Sequence, residues 1–185
     1  MGLNEILNAI EVAKEDDDIK GISINNNFTL AGYAQTQEIR RALQDFKKSG
    51  KFVYTYSDFY MQKDYYLASV SDSIFINPVG ALDFKGLASE VLFYKDLQEK
   101  TGIKMEVIRH GKYKSAVEPY LENEMSEANR TQIKELISSI WNSVIEEISD
   151  GRNILPKDLN IIADTLGGRT PEMAKAIVPR ISIAK

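Results

Sequence analysis

Short β-branched or aromatic runs alternate along this chain with segments whose apolar residues recur at helical spacing. Gly21–Asn25, Lys51–Tyr56, Ser73–Asn77 and Ile103–Arg109 read as strands. Between them Leu3, Ile6, Leu7 and Ile10 mark one amphipathic helix, and Ile39, Leu43 and Phe46 mark the core stripe of another. Further helices are expected at Asp64–Val70 and Glu90–Lys100. Strand–helix alternation is the pattern of an α/β chain with a mostly parallel sheet flanked by helices.

Local signals set the expected boundaries. The acidic run Glu15–Asp18 ends the first helix, and Gly50 stands just past the second as a helix-terminating glycine. Pro78 and Gly80 are expected to break the third strand. The stretch 111–125, with Pro119 inside it, reads as irregular. Ser126 is an N-cap with Glu127 in the favourable first turn. The helix it starts carries a broad apolar face: Ile133, Leu136, Ile137, Ile140, Trp141, Val144, Ile145 and Ile148. Gly151 is expected to end it, and Pro156 sits at the first position of a short following helix. From Thr170 the tail is weakly patterned, with Pro179 ending any helix there. One domain over 1–185 is expected, with 126–185 a mainly helical extension.

Composition removes several chemistries. With no cysteine among its 185 residues, the chain has no disulfides, thiolate nucleophiles or cysteine-based zinc sites. Its single histidine, His110, cannot build a multi-histidine metal site. No metal and no other cofactor is expected. A net charge of −4 argues against non-specific nucleic-acid binding, which needs a basic face. No stretch reaches the ~18–20 apolar residues of a membrane span, and no secretory signal is visible at the start. Phosphate-binding glycine loops and the Gly-x-Ser-x-Gly nucleophile motif are absent as well.

The informative segment is His110 to Tyr120, His-Gly-Lys-Tyr-Lys-Ser-Ala-Val-Glu-Pro-Tyr. Lys114 lies among Tyr113, Ala116 and Val117. A lysine serves as general base only when neutral, with its pKa drawn from about 10.4 towards ~7–8 by desolvation or a nearby cation. Lys112, two residues away, is such a cation. Spacing alone favours a solvated basic loop. Ser115 reads as a loop hydroxyl, Glu118 as a surface carboxylate, His110 as structural, and Tyr65 and Tyr66 as packing residues.

Gly111-Lys-Tyr-Lys-Ser-Ala-Val-Glu-Pro119, followed by Met125-Ser-Glu-Ala-Asn-Arg130, resembles the N-terminal repeat of the signal peptide peptidase A (protease IV) family. Ala42–Lys51, Tyr65–Ser69, Asn77–Gly80 and Ser149–Asn153 agree in order and spacing. The resemblance implies the Clp protease/crotonase fold and a Ser–Lys peptidase that degrades cleaved signal peptides. In the long, two-repeat form one repeat supplies the lysine base and the other the serine. The lysine maps onto Lys114. The serine of single-repeat relatives maps onto Gln62, so the nucleophile and the oxyanion donors are expected from the C-terminal, serine-bearing repeat. Implied partners are apolar, signal-peptide-like peptides and further copies of the chain. Implied location is the outer, periplasmic face of the bacterial cytoplasmic membrane, held by a segment absent here. On this reading the chain is a portion of a longer enzyme and inactive alone. The rival readings are a non-catalytic assembly or substrate-capture scaffold and a crotonase-like acyl-CoA enzyme.

Overall fold

The computed structural model describes residues 2–25, 28–103, 105–106, 108 and 115–184. They divide into two compact units, one running to Gly86 and resuming at Val144, the other spanning Leu87–Ser143.

The first unit is built on a sheet of four parallel strands in sequence order. They are β1 (Gly21–Asn25), β2 (Phe52–Met61), β3 (Ser73–Asp83) and β4 (Ile181–Ile183). Parallel neighbours need crossover connections, and helices supply them. Helix α1 (Leu3–Glu15) precedes β1, α2 (Tyr33–Lys48) links β1 to β2, and α3 (Gln62–Ala68) links β2 to β3. The expected α/β architecture is therefore present, a parallel sheet flanked by helices.

One core forms where the two helical stripes meet the sheet. Ile10 of α1 and Ile39, Leu43 and Phe46 of α2 are buried with Val53, Leu67 and Val70. Ile22 and Ile24 of β1 pack against that cluster, as do Leu3, Ile6 and Leu7. Both helices stop where expected. Gly50 takes φ +83°, the left-handed conformation that glycine adopts without a Cβ penalty. Lys51 then reaches back, its Nζ donating to the carbonyls of Ala13, Lys14 and Asp16 at 2.8, 2.8 and 2.6 Å. A cation there satisfies the last carbonyls of α1 and opposes the negative end of its dipole.

Two expected breaks fall differently. β3 runs on through Pro78 and Gly80 to Asp83. The pairing jumps from Ser57↔Ile76 to Phe59↔Ala81, so Asn77–Gly80 stand opposite Asp58 alone. Proline has no N–H for a ladder, and a bulge is where a strand tolerates it. The bulge is pinned by Asp58, whose Oδ1 accepts from Asn77 Nδ2 at 2.8 Å and from Tyr56 Oη at 2.7 Å. Gly80 passes so close that a Cβ there would lie 2.1 Å from the Asp58 carbonyl oxygen.

The weakly patterned tail is the other difference. After α7 (Pro156–Thr165), with its proline at the first turn as expected, comes α8 (Pro171–Ile177), capped by the Thr170 hydroxyl. β4 then pairs with β3, Ile74↔Ile181 to Ile76↔Ile183, and so completes the sheet. Three residues are too short to show a periodicity, which is why this strand is not legible in the sequence.

The second unit holds α4 (Lys95–Thr101), a 3-10 turn (Ser115–Val117), α5 (Glu118–Leu121) and the first part of α6 (Glu127–Arg152). The helix expected over 90–100 starts only at Lys95, and none of its residues is buried. Helices take most of their stability from packing an apolar face, and Leu92 and Leu97 remain exposed. Among the described residues of 103–109 none is in a strand, in contrast to the expectation. Ser126 caps α6 as expected, its Oγ accepting from Asn129 N at 3.2 Å. The helix continues one residue past Gly151, and Asn153 follows in a left-handed conformation, φ 54°. Its apolar face is fully buried only at Val144, Ile145 and Ile148, while Leu136 is exposed.

Candidate functional site

Lys114 and His110 lie outside the described residues. The residues that follow are described, and they are anchored. The 3-10 turn begins at Ser115, next in sequence to Lys114. Glu118, expected on the surface, is buried with 3 % exposure. Its carboxylate accepts from Ser126 N at 3.2 Å, Ser126 Oγ at 2.6 Å and Asn129 Nδ2 at 3.0 Å. A buried carboxylate stays tolerable when its oxygens are so satisfied, and here it ties α5 to the start of α6. On the other side the Pro119 carbonyl accepts from Tyr94 N at 2.6 Å and the Tyr120 carbonyl from Gln98 Nε2 at 2.7 Å. Tyr94 and Tyr120 stack at 5.7 Å. The segment after Lys114 is thus held by α4 and by α6.

In the first unit, Gln62 opens α3 directly after β2. The position carries a carboxamide and no hydroxyl. It is buried, and each hydrogen-bonding site of the amide is used. Its Oε1 accepts from the backbone N–H of Lys85 at 3.1 Å and of Gly86 at 2.7 Å. Its Nε2 donates to the Gly86 carbonyl at 3.0 Å and to Tyr33 Oη at 3.2 Å. Two residues on, Asp64 accepts from Met61 N at 3.2 Å and Thr29 N at 2.6 Å, which fixes the start of the helix.

The far end of α3 is gripped by two buried arginines. Arg40, 0 % exposed, donates through Nη1 to the Tyr66 carbonyl and to Ser69 Oγ. Its Nε reaches Glu147 Oε2 at 3.1 Å and its Nη2 the Glu147 carbonyl at 3.1 Å. Tyr66 Oη also donates to Glu147 Oε2, at 2.6 Å. Burial lowers the Arg40 pKa, against the opposing pull of Tyr66 and Glu147. Burial would raise that of Glu147, but hydrogen bonds from Tyr66, Gln37 and Arg40 outweigh it and hold the carboxyl below its ordinary value.

Arg152 donates through Nη2 to the Ala68 carbonyl at 3.2 Å. Its Nε and Nη1 have no partner among the described residues, nor has Tyr65 Oη. Burial pushes the Arg152 guanidinium down to about 10 and the Tyr65 hydroxyl up to about 12. Gly151 permits this approach of α6 to α3, since a Cβ there would lie 2.7 Å from the Ser69 carbonyl oxygen. Tyr65 and Tyr66 are packing residues, as expected, each 1 % exposed. Sequence reading missed Arg40, Glu147 and Arg152. Isolated charges on amphipathic helices carry no mark of burial, although Gly151-Arg152 lies in a stretch that carries the family resemblance.

Among the described residues there is no group of histidine and acidic side chains able to hold a metal ion. No helix among them is long and apolar enough to cross a membrane.

The described residues thus hold a parallel α/β sheet with a fully hydrogen-bonded glutamine at the head of α3, and a short helix, α5, tied to its neighbours through Glu118. The sequence model of Peptidase family S49 matches residues 45–175, and the chain belongs to that family. It is 39 % identical over 158 residues to Protease 4 of Salmonella typhi, covering 85 % of this chain and 26 % of that protein. Protease 4 of Haemophilus influenzae is 37 % identical over 151 residues, 81 % of this chain and 25 % of the relative. The chloroplastic serine protease SPPA of Arabidopsis thaliana is 33 % identical over 138 residues, 75 % of this chain and 20 % of the relative. The chain spans about a quarter of the length of the two Protease 4 relatives. Among solved structures, an enoyl-CoA hydratase/isomerase family protein from Silicibacter pomeroyi superposes with a TM-score of 0.32 at 13 % identity, covering 89 % of this chain and 84 % of that one.

Proposed function

We propose that this chain is the lysine-bearing half of a membrane-associated Ser–Lys peptidase, with Lys114 as general base and the serine on another repeat. The observation that carries the reading is Gln62. At the head of α3, where the family resemblance places a nucleophile, stands a carboxamide whose oxygen and nitrogen are fully engaged. A repeat of Peptidase family S49 in that condition needs a nucleophile from elsewhere.

The chemistry follows from those parts. Neutral Lys114 takes the proton of the serine hydroxyl as its oxygen attacks the peptide carbonyl. Backbone N–H groups of the serine repeat stabilise the oxyanion. The protonated lysine then returns its proton to the leaving amine, and water hydrolyses the acyl-enzyme. The substrates are apolar peptides such as cleaved signal peptides, laid extended along a strand edge. The assembled enzyme self-associates and works at the outer face of the cytoplasmic membrane.

The test joins this chain to its serine-bearing repeat and replaces Lys114 by Ala. Peptide hydrolysis is expected to fall to background with the assembly intact. Hydrolysis that persists would remove Lys114 from the mechanism.

A further inference from the structure

The Gln62 contacts have a chemical meaning beyond the loss of a serine. Two successive backbone N–H groups, those of Lys85 and Gly86, converge on one oxygen at 3.1 and 2.7 Å. That is the number, type and range of donors that hold an oxyanion in acyl-transfer sites. Gly86 takes φ +91°, a conformation that glycine adopts without strain, and it turns the chain at the second donor. The pair stands at the head of α3, beside the side chain in the serine's place.

We propose that the Lys85–Gly86 amide pair is an oxyanion-binding site that the chain keeps shut with the Gln62 carboxamide. Its ligand class is a carbonyl, carboxylate or tetrahedral oxygen. Gln62 is the intramolecular occupant. Its Nε2, bonded to the Gly86 carbonyl and to Tyr33, holds the oxygen in place. Naming a substrate carbonyl as the excluded group rests on the peptidase reading; the existence of the closed site does not. A repeat without a nucleophile gains from the closure, because a peptide carbonyl seated here would be bound without being cleaved.

The test is an NMR titration of the chain with acetate as probe, following the amide signals of Lys85 and Gly86. In Gln62→Ala both signals are expected to shift saturably, while the wild type, with its site filled, stays unresponsive. A folded Gln62→Ala whose two amides ignore acetate overturns the proposal. So does a wild type that responds equally. Should Gln62→Ala fail to fold, the wild type gives an independent measurement. Scalar couplings across the hydrogen bonds from the Lys85 and Gly86 nitrogens to the Gln62 carboxamide carbon are expected, and their absence sinks the closure. None of these readings depends on Lys114 or on hydrolysis. Failure of the amide site and failure of the peptidase assignment are therefore separate outcomes.

Discussion

The Arg40 guanidinium lies 4.5 Å from the centroid of the Tyr66 ring and donates to the Tyr66 backbone carbonyl as well. One side chain thus holds a residue of α3 by its face and by its backbone, while its other donors secure Glu147 of α6. Helix α3 is seven residues long, too short to persist by propensity. The arginine clamp at its end and the Asp64 cap at its start keep it in place beneath Gln62.

Replacing Arg40 by Met is expected to destabilise the chain by about 3 kcal/mol, because it takes the paired cation from the Glu147 carboxylate and a donor from the Tyr66 and Glu147 carbonyls. The low end of the range for broken buried pairs applies, since the Glu147 side chain keeps 23 % exposure. Urea unfolding measures it. A loss within experimental error of zero would show that the clamp contributes no net stability.

Acid should weaken the fold through Glu147. Its carboxyl is held below the ordinary value in the folded chain, so the unfolded chain binds more protons in that range. The stabilisation is complete above the unfolded carboxyl's pKa and is lost as pH falls through the lower folded value. Between about pH 6 and about pH 3, bracketing ordinary carboxylates, Glu147→Gln is expected to lose less stability than the wild type. Asp72, also held low, keeps part of the dependence in both. Identical pH profiles for the two proteins would contradict the assignment.

Gly80→Ala tests the bulge. The added Cβ would meet the backbone of Asp58, and neither partner is a flexible side-chain end. A cost of roughly 1–3 kcal/mol is expected, as for overpacked sites, read as a lower thermal midpoint. An unchanged midpoint would mean that the strand crossing is looser than described.

Tyr65→Phe should stabilise. The hydroxyl is buried without a partner among the described residues, and burial drives its pKa to about 12 against the opposing pull of Arg152 and Arg40. Removing a polar atom that gave up water for nothing is expected to gain about 1 kcal/mol. A destabilised Phe variant would reveal a hydrogen bond to that oxygen.

Local rules were enough for several elements. The stripe Ile39, Leu43 and Phe46 with the stop at Gly50, the Ser126 cap and the start of α7 at Pro156 each depend on neighbours within a turn or two. Such signals are written along the chain. The strand through Pro78 was not legible, because its continuation depends on Asp58 across the sheet. Nor was the burial of Glu118, whose carboxylate accepts from Ser126 and Asn129 at the start of the next helix.

The sequence by itself determined the α/β class, through its alternating periodicities, and pointed to the S49 family through the segment around Lys114. Through the same resemblance it drew attention to Gln62. Only the tertiary structure decided what that glutamine does, because two backbone amides twenty-three and twenty-four residues away become its partners only after β3 has paired beside β2. A hydrogen bond is set by distance and angle in space, and the sequence separation of its partners carries no trace of it.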